Sequence, residues 1–165
     1  MKKVIFMFSL IAFSLVASSQ TIRGTNPGGF SLGLEAGVPV GEIGKLYSHI
    51  LGGTLQYEYK PDAAFGITFN TGYLSYSIKK KFNGGSVGFI PALAGVKYYL
   101  APAIFAHAQL GAAFGTDKGQ GTSFAYSPGI GFNITPKFDV ELKYTGISNK
   151  GGTLASAGAR LAYTF

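Results

Sequence analysis

The chain has 165 residues, with 14 Lys and Arg against 7 Asp and Glu, two His and no Cys. One domain fits that length. The missing cysteines exclude disulfides, thiol nucleophiles and thiolate metal sites, and so few titratable groups leave little for acid–base chemistry. With 25 Gly and 15% aromatics, all Phe and Tyr, the composition is unlike the aromatic-poor disordered class and points to β structure.

The chain opens on Lys2 and Lys3, then the 13-residue apolar run Val4–Val16, then small residues Ala17-Ser18-Ser19 ahead of Gln20. This pattern predicts a signal peptide over 1–19. The run is short of the roughly 20 residues that span a bilayer as a helix. Residues 20–165 are then the folded domain, with 12 basic residues against 7 acidic. In an exported chain that excess suits anionic lipid or polysaccharide better than nucleic acid.

Eight segments with apolar residues at every second position follow, each a strand signal. In FSLGLEAGVPV, Phe30, Leu32, Leu34, Ala36, Val38 and Val40 oppose Ser31, Gly33, Glu35 and Gly37. GGTLQYEYK sets Leu55, Tyr57 and Tyr59 against Thr54, Gln56, Glu58 and Lys60. FGITFNTGY, IPALAGVKYYL and IFAHAQLGAAF repeat the pattern, with Lys97 and His107 on the polar faces of the last two. FAYSPGIGFNI, FDVELKY and AGARLAYTF complete the set and place Asp139, Glu141, Lys143 and Arg160 opposite apolar neighbours.

Three connections are tight and carry a proline: Pro61-Asp62, Ala101-Pro102 and Thr135-Pro136-Lys137. Proline presets the turn and donates nothing to a ladder. Four others are expected to be longer and polar, near Gly41–His49, Ser77–Ser86, Gly115–Thr122 and Ser148–Gly152. Alternating short and long connections describe an antiparallel up-and-down meander with two unequal ends.

A soluble barrel turns its apolar face inward. Here the apolar face is broad and carries aromatics expected near strand ends (Tyr57, Tyr59, Tyr73, Tyr98, Tyr144, Tyr163, Phe165), while the other face mixes Gly, Ser, Thr, Asn and Gln with charges. Apolar-out, polar-in strands of about 9–11 residues, even in number, fit a transmembrane β-barrel. The fold predicted is therefore all-β: a transmembrane eight-stranded antiparallel up-and-down β-barrel with a hydrophilic bore. Only closure satisfies every backbone group in lipid, so the last strand must pair with the first.

ARLAYTF resembles the C-terminal assembly signal of outer-membrane barrels, with Phe165 last, Tyr163 two residues before it and Leu161 before that. The domain resembles the eight-stranded OmpX/OmpA-type barrel family, and FIPALAGVKYYL resembles the fourth strand of the version common in Bacteroidota. The resemblance implies an outer-membrane location, lipid and lipopolysaccharide as surroundings, the barrel-assembly machinery as a partner, a monomer, and a non-enzymatic structural or surface-interaction role.

An eight-stranded bore is about wide enough for side chains to fill, and unpaired buried charges are costly. Glu35, Glu58, Asp139 and Glu141 are therefore expected to neutralise Lys60, Lys97, Lys143 and Arg160, with Arg160 reaching Glu35 or Glu141. His107 is expected to be a hydrogen-bonded interior residue and His49 a solvated one. No metal or cofactor site is expected, because ligand spacing is missing. GISNKGG faintly resembles the Ser-Asn segment of outer-membrane lipid A deacylases, but Gly146 stands where those enzymes carry His and no carboxylate follows Ser148, so that serine has no base. GTDKGQGT lacks the Lys-Ser/Thr end of a phosphate-binding loop. Lys45, Lys79, Lys80, Lys81, Lys118 and Lys150 make the long connections basic against only Glu42 and Asp117. They are expected to lie outside the cell and attract lipopolysaccharide or another acidic surface. The alternatives are a narrow channel for ions or small solutes and, from another class, a soluble lipocalin-like binder.

Overall fold

A computed structural model describes residues 28–82, 84–117 and 119–165; the expected signal peptide, 1–19, lies outside them. Eight strands run β1 (Gly29–Val40), β2 (Tyr47–Tyr59), β3 (Phe65–Ile78), β4 (Ser86–Ala101), β5 (Ile104–Gly115), β6 (Thr122–Asn133), β7 (Phe138–Asn149) and β8 (Gly152–Thr164). Every sequential pair is antiparallel, and β8 returns to β1 from Ser31↔Thr164 to Val40↔Ala155. The sheet is a closed barrel. The last residue is tied in as well, since the Phe165 N–H donates to the Phe30 carbonyl at 3.0 Å. Closure leaves no edge strand, as a lipid environment requires.

The solvent polarity is inverted. Leu34 is 73% exposed and Leu161 48%, whereas Lys97, Glu141 and Arg160 are each 1% exposed. Among the described residues no helix is long and apolar enough to cross a membrane. Aromatics band the exterior at the end where the chain enters and leaves the barrel: Phe30, Tyr57, Tyr59, Tyr98, Phe138 and Phe165 are all exposed there. Phe138, Tyr163 and Phe165 pack ring to ring, at 5.0 and 5.4 Å between centroids. Tyr73 and Tyr144, read from the sequence as strand-end residues, lie mid-strand, because β3 and β7 run on to Ile78 and Asn149.

That extension revises the connections too. At one end they span 60–64, 102–103 and 134–137; at the other, 41–46, 79–85, 116–121 and only 150–151. The fourth long connection is thus a tight hairpin, and strand pairing has absorbed its polar residues. Ser148 hydrogen-bonds Thr153 across it at 2.6 Å. A one-turn helix, α1 (Gly41–Gly44), packs against β8.

The bore has two layers, which corrects the expectation of a hydrophilic lining throughout. The half nearer the tight turns is polar. The half nearer the long connections is filled by Ile50, Leu74, Tyr76, Phe89, Leu93 and Ile147, buried with their small neighbours as one cluster. Tyr76 stacks edge-on against Tyr47 and Phe89, with centroids 6.1 and 5.5 Å apart. Leu74 and Tyr76 continue the inward face of β3 past Thr68 and Asn70, so the same alternation delivers a polar floor and an apolar plug.

Candidate functional site

The charged layer is built from six strands. Lys97 on β4 bonds Glu58 Oε2 on β2 at 3.1 Å, and the Tyr99 hydroxyl donates to Glu58 Oε1 at 2.6 Å. The Lys97 ammonium also lies 4.4 Å from the Phe105 ring centroid, a cation–π contact in a dry site. Lys143 on β7 bonds Glu35 on β1 at 2.8 Å, and Thr54 donates to the same oxygen at 3.2 Å. His107 on β5 donates through Nδ1 to both oxygens of Glu141 at 3.0 and 3.1 Å, while its Nε2 meets Thr68 Oγ1 at 2.9 Å. The carboxylate beside His107 comes from a strand two places away, which local ligand spacing could not reveal.

Arg160 departs from its expected partners. Its backbone sits opposite both Glu35 and Glu141, yet its guanidinium donates to Thr54 Oγ1 at 3.0 Å and Ser31 Oγ at 3.1 Å, and its charge faces Asp139 at 3.8 Å. The reasons are steric and competitive. Glu35 is taken by Lys143 and Glu141 by His107, and Gly33 leaves the groove along which Arg160 lies: a Cβ there would collide with the guanidinium. Lys60 lies outside the strands, past the end of β2, with its ammonium 3.7 Å from the Tyr99 ring centroid. Burial, then the neighbouring Lys97 charge, pull its pKa below the ordinary lysine value, while Glu58 and Asp62 oppose the shift.

The layer therefore pairs each buried carboxylate with a cationic or imidazole partner. A hydroxyl does lie beside a base within it, Thr68 Oγ1 against His107 Nε2, but Thr68 is only 2% exposed; among the described residues no three metal-ligating side chains converge. Two small cavities border it, of about 20 and 10 Å³, each near the room one water needs. Neither is a through-path.

The described lysines of the long connections are exposed. Lys45 is paired with Glu42 at 2.7 Å; Lys80 and Lys81 begin a 3₁₀ turn, Lys80–Phe82. Lys118 lies outside the described residues. His49, expected in a connection, is on β2, exposed and bonded to Ser77 Oγ at 3.1 Å. At the end of β8 and just past it, Leu161 and Phe165 are exposed, with Tyr163 half-buried between neighbouring rings.

The model of the outer membrane protein beta-barrel domain matches residues 8–165. The chain belongs to that family. An outer-membrane β-barrel is accordingly what this polypeptide forms, and the outer membrane is where it resides. No curated protein sequence matches the chain. Among solved structures, Ail of Yersinia pestis in a phospholipid nanodisc is 23% identical, with a TM-score of 0.61 over 84% of this chain and 99% of that one. Crystalline Ail in complex with the heparin analogue sucrose octasulfate gives 21%, 0.60, 84% and 99%. The N-terminal barrel of Pseudomonas aeruginosa OprF gives 16%, 0.57, 84% and 99%. At these identities the likeness is one of fold.

Proposed function

We propose that this outer-membrane barrel is a closed, non-catalytic attachment protein whose lysine-bearing connections hold anionic surface glycans such as lipopolysaccharide. The single observation that carries the reading is the filled bore, which leaves the loops as the part of the molecule able to meet a partner. In this reading residues 1–19 direct export, the N-terminus lies on the periplasmic side, Leu161, Tyr163 and Phe165 present the last strand to the assembly machinery, and the barrel works as a monomer. The connections 41–46 and 79–85 then face outward, carrying Lys45, Lys79, Lys80 and Lys81. Lys79, Lys80 and Lys81 lie consecutively with no acidic side chain bonded to them among the described residues. Polyanions are held by such clusters through charge, with strong salt dependence. Ail bound to sucrose octasulfate is one instance of such a fold receiving a sulfated polyanion.

The channel alternative has to contend with Tyr76 and Phe105, both fully buried, and with Lys97, Glu141 and Arg160, each 1% exposed. Catalysis would need an activated nucleophile. Ser148 has Thr153 beside it, not a base, and Thr68, whose hydroxyl does meet His107 Nε2, is shut inside the bore at 2% exposure. The test is retention of nanodisc-embedded protein on immobilised lipopolysaccharide. The Lys79→Gln/Lys80→Gln/Lys81→Gln variant should lose retention at low salt, and wild type should lose it at high salt. Equal retention of both at low salt overturns the reading, and regular single-channel openings in planar bilayers would restore the channel.

A further inference from the structure

Above the apolar plug, at the end that carries the long connections, the barrel is hollow. A cavity of about 320 Å³ opens there, within the range of small-ligand sites. Its floor is Phe89, Ile147 and Leu154, all buried, with Tyr47 and Val87 half-buried on the wall. Gln120 and Asn149 stand among glycine backbone at the rim. Ile50, Leu74 and Tyr76 lie in the same cluster as the floor, so whatever enters stops short of the ion pairs.

The rim is basic. Lys150 lies between Asn149 and Gly151, both lining the cavity. The connection holding Lys79, Lys80 and Lys81 leads directly into Val87 and Phe89. The Lys79 N–H donates to the Leu46 carbonyl at 3.0 Å, fastening that connection to the one that leads into Tyr47. The acids facing this end are already engaged: Glu42 by Lys45 at 2.7 Å and Asp117 by the Gln120 amide at 3.0 Å. Among the described residues no carboxylate bonds Lys79, Lys80, Lys81 or Lys150.

We propose that this cup binds small amphipathic carboxylates, with the aliphatic tail on Phe89, Ile147 and Leu154 and the carboxylate toward the lysine rim. A sugar fits poorly, because hydroxyls on an apolar floor lose water without gaining partners. An amphipathic cation would meet like charge. The proposal shares its lysines and its outward-facing end with the attachment reading and rests on it to that extent.

The test is methyl NMR of the Ile-, Leu- and Val-labelled barrel in nanodiscs, titrated with sodium hexanoate and, separately, hexylammonium chloride. Hexanoate should give saturable shifts at Val87, Ile147 and Leu154, at concentrations at least about fivefold lower than hexylammonium, the factor one unit-charge contact contributes in water-like surroundings. Val87→Trp, which fills the cup, should abolish the shifts at Ile147 and Leu154 while keeping heat-modifiable gel migration and lipopolysaccharide retention. Equal response to the two ions, or shifts as large at the lipid-facing methyls of Leu34 and Leu161, overturns the cup. So does an undiminished response in folded Val87→Trp. Should that variant fail to fold, the contrast between the two ions on wild type decides. Loss of lipopolysaccharide retention with intact hexanoate shifts removes only the attachment reading; retention without shifts removes only the cup.

Discussion

Replacing Lys97 by Met strands a carboxylate inside the bore. Glu58 and Lys97 are 4% and 1% exposed and 3.1 Å apart. At that distance their attraction is about 5 kcal/mol at an effective dielectric near 20, and removing one partner of a buried pair typically costs about 3–5 kcal/mol. K97M should therefore lose about 3–5 kcal/mol. The double variant E58Q/K97M should recover most of that, because the amide introduced by E58Q carries no charge and its oxygen can still accept the Tyr99 hydroxyl, which lies 2.6 Å from Glu58 Oε1. The chain has no Trp, so the assay is guanidinium unfolding in micelles followed by far-UV circular dichroism and by the mobility of unboiled samples on gels. A loss below about 1 kcal/mol for K97M, or a double variant as unstable as the two single losses summed, would refute the idea that the ion pair dominates at this site.

Three further outcomes follow from the packing. Leu74→Ala should cost about 2–5 kcal/mol by opening a cavity in the apolar plug, read as a lowered guanidinium midpoint with an unchanged slope. Gly131→Ala places a methyl where the Phe105 ring lies and should cost about 1–3 kcal/mol; a further Phe105→Leu change should relieve part of the loss in the same assay. Lys60 should titrate below the ordinary lysine value in carbon-13 NMR of labelled side chains, because burial and then Lys97 disfavour its ammonium. The sign is that folding releases protons from this group, so its contribution to stability rises with pH through the window between the lowered and the ordinary value. K97M should move the Lys60 titration upward, and an unmoved titration would exclude the charge coupling.

Alternation made the barrel legible in the linear chain. Phe30, Leu32 and Leu34 against Ser31, Gly33 and Glu35 is a statement about which face each side chain occupies, because strand geometry has a period of two. A terminal Phe165 in the same register as Leu161 and Tyr163 further implied closure. What alternation does not carry is depth. Leu74, Tyr76, Ile147 and Leu154 follow the same inward period as Asn70, Lys143 and Arg160, yet fill a different layer of the bore, since height in a barrel depends on strand tilt and stagger around the whole sheet. Pairing was equally invisible. Arg160 sits beside Glu35 and Glu141 in the ladder, but bonds Ser31 and Thr54 and faces Asp139, because long side chains choose partners across the bore according to what their rivals have taken. Residue order thus determined the faces, the count of strands and the inverted solvent. Only the closed tertiary structure decided which charges meet, where the apolar plug begins and that a cup remains above it, since each of those depends on strands brought together from distant parts of the chain.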